Sequence, residues 1–204
     1  QIFNLKNSLN FLDFYFCNKH ELDISSPESI DSFFVNNKFD VVINCAAYTS
    51  VDEAEKNYEH AKKINGYSIN YICKSLEKYK PDTKLIHLST DYIFDGEFSE
   101  PICEKDTPNP ISKYGKSKLL GEVMLQKSKI PSIIIRVSWL YSIFGKNFMK
   151  TIINLSKTKK SINVINDQIG SPTSANDLVE CILRIIASER FNYYAQKKGI
   201  FHFC

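Results

Sequence analysis

The sequence predicts an α/β fold in which helices cover both faces of an open, doubly wound sheet of parallel strands. Short apolar runs typical of fully buried parallel strands recur along the chain. Helix-like stretches separate these runs, as the crossovers between parallel strands require. Hydrophobic residues make up 43% of the 204 residues and aromatic residues 13%, which is enough for a large core.

Each element has its own local signal. Ser26 can cap a helix, Pro27 fits its first turn, and Glu28 suits the positive end of its dipole. Pro81 and Asp82 end the longest helix. Apolar runs mark the strands, while prolines and charges mark a long ordered loop. The predicted elements are strands at 12–17, 40–44, 84–88, 132–137, 162–165 and 200–203, helices at 26–36, 53–79, 113–126, 147–156 and 175–188, and the loop at 91–112.

Composition excludes several classes of protein. The 26 basic residues nearly balance the 23 acidic ones, and no basic run exceeds two residues, which argues against a dedicated nucleic-acid binder. The six cysteines form no C-x-x-C motif, as expected for thiols in a reducing cytoplasm. No apolar stretch approaches the ~20 residues of a membrane span, and the polar first residues are not those of a signal peptide.

Polar or small side chains follow three of the predicted buried strands. Ala46, Ala47 and Tyr48 come after the strand at 40–44, Thr90 lies in the hydroxyl-rich cluster Ser89–Tyr92 after 84–88, and Trp139 follows 132–137. In open α/β sheets, ligands bind beyond the carboxyl ends of the strands. The sequence therefore predicts a ligand site at this edge of the sheet.

Tyr114 and Lys118 are candidate catalytic residues because a spacing of four places them on one helix face. A nearby ammonium favours the phenolate and is expected to lower the pKa of the tyrosine. The chain contains five such Tyr/Lys pairs, so the spacing alone is weak evidence. Only this pair follows a strand that ends in a Ser/Thr cluster and opens a helix leading into the next buried strand.

Five further blocks of the sequence are informative together. They are Val42–Glu55, Ser89–Gly96, Tyr114–Glu122, Arg136–Tyr141 and Asp167–Thr173. In their order and spacing they resemble the dTDP-4-dehydrorhamnose reductase family of the extended short-chain dehydrogenase/reductase superfamily. The resemblance implies a Rossmann-like sheet. It also implies reduction of the C4 ketone of dTDP-4-dehydro-L-rhamnose to dTDP-L-rhamnose with NADPH or NADH.

The resemblance also implies residue roles. Tyr114 donates a proton to the C4 oxygen, Lys118 holds the nicotinamide ribose and lowers the tyrosine pKa, and Thr90 hydrogen-bonds the substrate oxygen. Asp91 supports that loop at the substrate, and Trp139 walls the sugar nucleotide. The implied cofactor-binding residues are Asp23 and Ile24 at the adenine, Ala46, Ala47 and Tyr48 along the cofactor, Asn65 near the catalytic loop, and Tyr114 with Lys118.

The superfamily also has a glycine-rich turn after its first strand, which cradles the pyrophosphate. In this sequence no glycine precedes Gly66. We therefore expect residues 1–138 to form a dinucleotide-binding region without its first strand and glycine loop. Residues 139–204 would interleave the remaining Rossmann elements with part of the substrate-binding region, and the family's C-terminal end would be absent. Such a chain is expected to bind dinucleotide poorly.

Asn18 and Lys19 follow the strand at 12–17, where a carboxylate would bind a ribose 2′-hydroxyl, and this favours NADPH. Magnesium and a homodimer are compatible with the resemblance, but no metal ligand set can be placed. Three alternatives stay open. They are a regulatory subunit like the beta subunit of methionine adenosyltransferase, another nucleotide-sugar epimerase or dehydratase, and an inactive fragment.

Overall fold

A computed structural model describes residues 12–97 and 100–204. Its centre is a parallel sheet of four strands, β1 (Val41–Asn44), β2 (Lys84–Thr90), β3 (Ser132–Val137) and β6 (Ile200–Phe203), in the order β1-β2-β3-β6. The register places Ile86 beside Ile43 and Ile133. The predicted α/β class and the parallel sheet are confirmed.

Helices cover both faces of the sheet. The helices of the described residues are α1 (Pro27–Asn36), α2 (Val51–Lys56), α3 (Tyr58–Lys62), α4 (Ser68–Tyr79), α5 (Lys113–Lys127), α6 (Phe148–Ser156), α7 (Ala175–Ala187) and α8 (Phe191–Gln196), of which α6 has no buried residue. Because successive side chains of a strand point to opposite faces, β2 contributes Leu85 to the core beneath α1, α4 and α5. Its neighbour Ile86 joins the core beneath α7 and α8. The sheet is therefore doubly wound.

One helix start agrees with the local sequence pattern, and one predicted helix does not. The Ser26 hydroxyl accepts a hydrogen bond from the Ser29 N–H at the start of α1, as the capping pattern predicts. The predicted helix at 53–79 is divided instead. α2 and α3 meet at Asn57, whose φ of −118° and ψ of 48° are not helical, and a π-helical turn at Lys63–Tyr67 precedes α4.

Two predicted strands are wrong. Residues 12–17 form no ladder with any described strand, and the ring of Tyr15 instead lies 5.5 Å from that of Phe39. Residues 162–165 are irregular and largely exposed. A strand needs a neighbour for its backbone groups, and neither segment has one among the described residues. The apolar runs also did not predict α8 or a short parallel pair formed by β4 (Leu140–Tyr141) and β5 (Thr173–Ser174).

The prediction that the first strand and its glycine loop are missing falls in part on residues 1–11, which lie outside the described residues. In the described ranges, β1 and β6 form the two edges of the sheet. No helix in those ranges is long and apolar enough to cross a membrane.

Candidate active site

The carboxyl ends of β1, β2 and β3 meet at one edge of the sheet, as the topology requires. Thr90 ends β2 and caps the short 3-10 turn Asp91–Ile93, where its Oγ1 accepts a hydrogen bond of 3.2 Å from the Tyr92 N–H. The same hydroxyl donates to Oδ1 of Asp91 at 3.0 Å. Thr90 and Asp91 are therefore held together at the centre of the edge.

Helix α5 brings Tyr114 to Thr90. The Ser112 hydroxyl caps the helix by accepting from the Gly115 N–H at 3.0 Å. A side chain at Gly115 would collide with the Tyr92 carbonyl, so glycine allows the helix to approach the turn after β2. The Tyr114 ring consequently packs edge to face on Tyr92, with centroids 5.6 Å apart.

Burial raises the pKa of Tyr114 to about 12, and a hydrogen bond with Thr90 opposes the rise. The sequence predicted that the neighbouring lysine lowers this pKa. The pKa is instead raised, chiefly because the phenolate is desolvated at an almost fully buried position, and the charges of Asp91 and Tyr92 raise it further. Tyr114 is therefore a protonated hydroxyl at neutral pH.

Lys118 lies one turn further along α5 and is only 3% exposed. Its Nζ donates a 2.6 Å hydrogen bond to the Leu88 carbonyl of β2. Burial lowers the pKa of this ammonium to about 8, although the Glu122 carboxylate opposes the shift. The structure thus holds a cation at a desolvated position beside the sheet edge.

Asn65, in the π-helical turn, ties the loop after β1 to α5. Its Oδ1 accepts from the Tyr48 N–H at 2.8 Å, and its Nδ2 donates to the Tyr48 carbonyl at 2.9 Å and to Oγ of Ser117 at 2.8 Å. Ser117 in turn donates to the carbonyl of Tyr114 at 2.7 Å. One buried amide therefore connects the segment containing Ala46, Ala47 and Tyr48 to the helix that contains Tyr114.

Asp23 and Ile24 precede α1. The Asp23 carboxylate accepts hydrogen bonds from the N–H and hydroxyl of Ser25, at 2.9 and 2.7 Å, and these lower its pKa. The charges of Lys19 and Lys63 lower that pKa further. Ile24 packs against the core beneath α1. These two residues do not contact Thr90, Tyr114 or Lys118 through any hydrogen bond that the described residues make.

Trp139 follows β3 at the same edge and is 39% exposed, so it is not a core residue. Its carbonyl accepts from the Thr173 N–H at 3.3 Å, and the Ser138 hydroxyl donates to the Ser171 carbonyl. The segment 167–173 is therefore attached to the end of β3.

Two buried polar groups escaped the sequence analysis because they lie in apolar runs or in separate elements. One is the ion pair of Glu122 and Arg136, with 2.8 Å between Oε2 and Nη2. The other is His87, whose Nδ1 lies 3.2 Å from Nδ2 of Asn44. His87 Nε2 has no hydrogen-bond partner among the described residues. Side chains alternate between the two faces of β2, so His87 lies on the same face as Leu85, the face that α5 covers. This alternation was the feature of the sequence that could have predicted its burial.

Burial, helped by the charge of Lys118, lowers the pKa of His87 well below 6.5. The unfolded chain then binds the proton more readily, so this group's contribution to stability is complete above about pH 6.5 and is lost as the pH falls. We expect urea unfolding between about pH 7 and 5 to show a steeper loss of stability in the wild type than in His87→Gln. The exposed His20→Gln serves as the control and keeps the wild-type slope, and an unchanged slope in His87→Gln would contradict this assignment.

The described residues contain no group of His, Cys, Asp and Glu side chains that could hold a metal ion.

Comparison with known proteins agrees with this arrangement. A family model described as the RmlD substrate binding domain matches residues 4–204. The chain is 38% identical over 182 residues to the spore coat polysaccharide biosynthesis protein SpsK of Bacillus subtilis (strain 168), covering 89% of this chain and 64% of that protein. It is 37% identical over 187 residues to the dTDP-4-dehydrorhamnose reductase of Aggregatibacter actinomycetemcomitans, covering 90% and 61%.

A solved structure is similar over nearly the whole chain. It is the dTDP-4-dehydrorhamnose reductase of Bacillus anthracis str. Ames in complex with NADP, with a TM-score of 0.88 and 35% identity, covering 98% of this chain and 69% of that one. The chain spans less than two thirds of the length of the two curated relatives named above. By its match over residues 4–204 and by these likenesses, the chain belongs to the dTDP-4-dehydrorhamnose reductase family.

Proposed function

We propose that this protein reduces the C4 ketone of dTDP-4-dehydro-L-rhamnose to dTDP-L-rhamnose, with NADPH as the reductant. The observation that carries the proposal is the convergence of Thr90, Tyr114 and Lys118 at one sheet edge, in a chain of this family. A reductase of this kind must orient a ketone, supply a proton to its oxygen and bind a nicotinamide cofactor.

Tyr114 is the proton donor of the proposed reaction. With a pKa near 12 its hydroxyl is protonated at neutral pH, and an alkoxide at C4 is a much stronger base than the resulting phenolate. Proton transfer from Tyr114 to the C4 oxygen is therefore favourable as the oxygen becomes anionic. Thr90 is the second hydrogen-bond donor to that oxygen in this proposal. Its single hydroxyl hydrogen is donated to Oδ1 of Asp91 at 3.0 Å, so it must turn from Asp91 to the C4 oxygen when the substrate binds.

Lys118 acts through its charge and its free N–H groups. An ammonium has three donors, and the Leu88 carbonyl takes one of them among the residues that the structure describes. The remaining donors fit the hydroxyls of a nicotinamide ribose. The cation also stabilises the phenolate that Tyr114 leaves after proton transfer, since the two side chains lie on one helix face.

The residues present fit the nicotinamide end of NADPH. Ala46 is small and exposed at the carboxyl end of β1, so a flat ring can approach the backbone there. Ala47 and Tyr48 continue that surface, which Asn65 holds in place. When bound, NADPH supplies the hydride. Asp23 and Ile24 flank the adenine end in this proposal, Lys19 favours the 2′-phosphate, and the relative with bound NADP supports the choice of cofactor.

The test is incubation of the 204-residue chain with NADPH and dTDP-4-dehydro-L-rhamnose, with product identified by chromatography. Because a chain without the glycine loop is expected to bind dinucleotide poorly, we expect slow oxidation of NADPH that needs a high NADPH concentration and runs in step with formation of dTDP-L-rhamnose. Tyr114→Phe removes the acid and is expected to lower kcat by about 10²–10⁴-fold while NADPH binding is kept. An exposed tyrosine, Tyr193→Phe, is the matched control.

Three outcomes would contradict the proposal. Exchange of solvent deuterium into the sugar without net loss of NADPH favours an epimerase or dehydratase. Co-purification with a second polypeptide whose activity the chain alters, together with equal activity of Tyr114→Phe, favours a regulatory subunit. A cooperatively folded chain that neither binds NADPH nor turns over the sugar is an inactive fragment.

A further inference from the structure

The backbone at Trp139 is strained. Its φ is +43°, in the left-handed region that bulky residues rarely adopt. The hydrogen bond from the Thr173 N–H to its carbonyl helps to hold this conformation. A strained backbone conformation persists only when surrounding contacts hold it, so the position of the indole depends on the residues that it contacts.

The neighbour of the indole ring is Gly170. A Cβ at this position would lie 2.6 Å from Cε2 of Trp139 and 2.9 Å from both Cζ2 and Nε1. The φ of Gly170 is outside the left-handed region, unlike those of Gly96 and Gly145. The backbone itself therefore accepts another residue there, and the contact with the indole is what a side chain would disturb.

The loop that carries Gly170 is fixed at one side of the ring. Ser138, next to Trp139, donates its hydroxyl hydrogen bond to the carbonyl of Ser171, next to Gly170. Ile169, on the other side of Gly170, is fully exposed and contributes no packing. Two contacts thus connect the ring to the loop. They are the hydrogen bond between Ser138 and Ser171 and the close approach of the Gly170 backbone to the indole.

We propose that Gly170 is a positioning residue that sets the orientation of the Trp139 indole as a wall of the sugar-nucleotide site. The inference rests on the proposed function. Because the ring is partly exposed, it can rotate away from a new methyl group while the fold stays intact. Gly170→Ala is therefore expected to misplace the wall without removing any group that reacts.

The chain contains one tryptophan, so emission excited at the red edge of the indole absorption, where the eleven tyrosines do not absorb, reports on this ring alone. We expect Gly170→Ala to change the emission maximum and to increase quenching by acrylamide, while Ile169→Ala leaves both unchanged. In steady-state assays, Gly170→Ala raises the KM for dTDP-4-dehydro-L-rhamnose roughly tenfold, leaves the KM for NADPH unchanged and changes kcat little. Ser138→Ala, which releases the loop without adding atoms, shifts emission and KM in the same direction.

An unchanged emission in both Gly170→Ala and Ser138→Ala would overturn the positioning role. So would a shifted emission with an unchanged KM for the sugar nucleotide. If the wild-type chain reduces no 4-dehydro sugar, the proposed function fails, and the emission comparison still decides whether Gly170 positions the ring. Thermal unfolding of each variant separates a displaced ring from a lost fold.

Discussion

Replacing Lys118 with methionine is expected to stabilise the fold and to remove most of the proposed activity. Folding moves the ammonium pKa from 10.5 to about 8, which corresponds to roughly 3 kcal/mol of unfavourable burial at neutral pH. Methionine keeps the aliphatic volume but leaves the Leu88 carbonyl without its donor, at a cost of about 1–3 kcal/mol. We expect a net gain of about 1 kcal/mol, with turnover at least about 100-fold lower.

The pH dependence gives this prediction its sharpest test. Between about pH 8 and 10.5 the unfolded chain holds the Lys118 proton while the folded chain loses it, so wild-type stability gains on the variant as pH rises. Urea unfolding at several pH values in this window should show the difference between Lys118→Met and wild type shrinking. Lys116→Met, on the exposed side of the same helix, should show neither effect. A variant that is less stable than wild type at every pH would contradict the argument.

Breaking the buried pair of Glu122 and Arg136 is expected to be the most destabilising single change. Both side chains are about 95% buried or more, and Arg136 Nε and Nη2 both donate to the carboxylate. Glu122→Ala leaves a guanidinium buried without its counter-charge, and such losses cost about 3–5 kcal/mol. Denaturant unfolding measures this directly as a fall in midpoint with an unchanged slope.

The chain offers its own control in an exposed pair. Arg184 and Glu180 form a contact of 2.5 Å on α7, but their side chains are 79% and 59% exposed. Glu180→Ala should change stability by less than about 0.5 kcal/mol, because water screens the charges. The double variant Glu122→Leu with Arg136→Met should recover part of the loss, since it leaves no unpaired charge. Equal losses of unfolding free energy in Glu122→Ala and Glu180→Ala would show that the buried pair stabilises the fold no more than the exposed one.

Loss of the pair would also disturb contacts of the loop that follows the turn at Asp91–Ile93. Arg136 Nη1 lies 3.3 Å from Nε2 of His202, and the guanidinium lies over the Phe94 ring at 5.4 Å. The His202 N–H donates to the Glu104 carboxylate at 2.9 Å. The ion pair is therefore the centre of a cluster that joins β3 and β6 to the chain after the turn at Asp91–Ile93.

The sequence was sufficient for elements whose burial decides their structure. β2 and β3 are short apolar runs buried on both faces, and the helix start at Ser26 has a complete local cap. Residues 12–17 and 162–165 have the same apolar composition, yet they lack a neighbouring strand in the described structure. Pairing is a property of the whole sheet, so no local pattern could separate these cases.

Part of the candidate site could also be predicted from the sequence. A spacing of four on one helix and the ends of parallel strands bring Tyr114, Lys118 and Thr90 to one edge. The raised pKa of Tyr114 was not predictable, because it depends on the burial of the phenol, whose ring packs against Tyr92 from a separate element. The contact between Trp139 and Gly170 joins residues from separate loops, and no periodicity links them.

The bonds of Asn65 have a consequence for how the protein opens. The Tyr48 N–H belongs to a loop, where backbone amides ordinarily exchange with solvent quickly, but its partner is a side chain that is 1% exposed. Exchange of this hydrogen requires the Tyr48 N–H to separate from Oδ1 of Asn65, an amide that its bond to Ser117 holds against α5. The Tyr48 amide should therefore exchange as slowly as amides inside α5, and a cofactor that contacts this loop would meet a surface as rigid as the core.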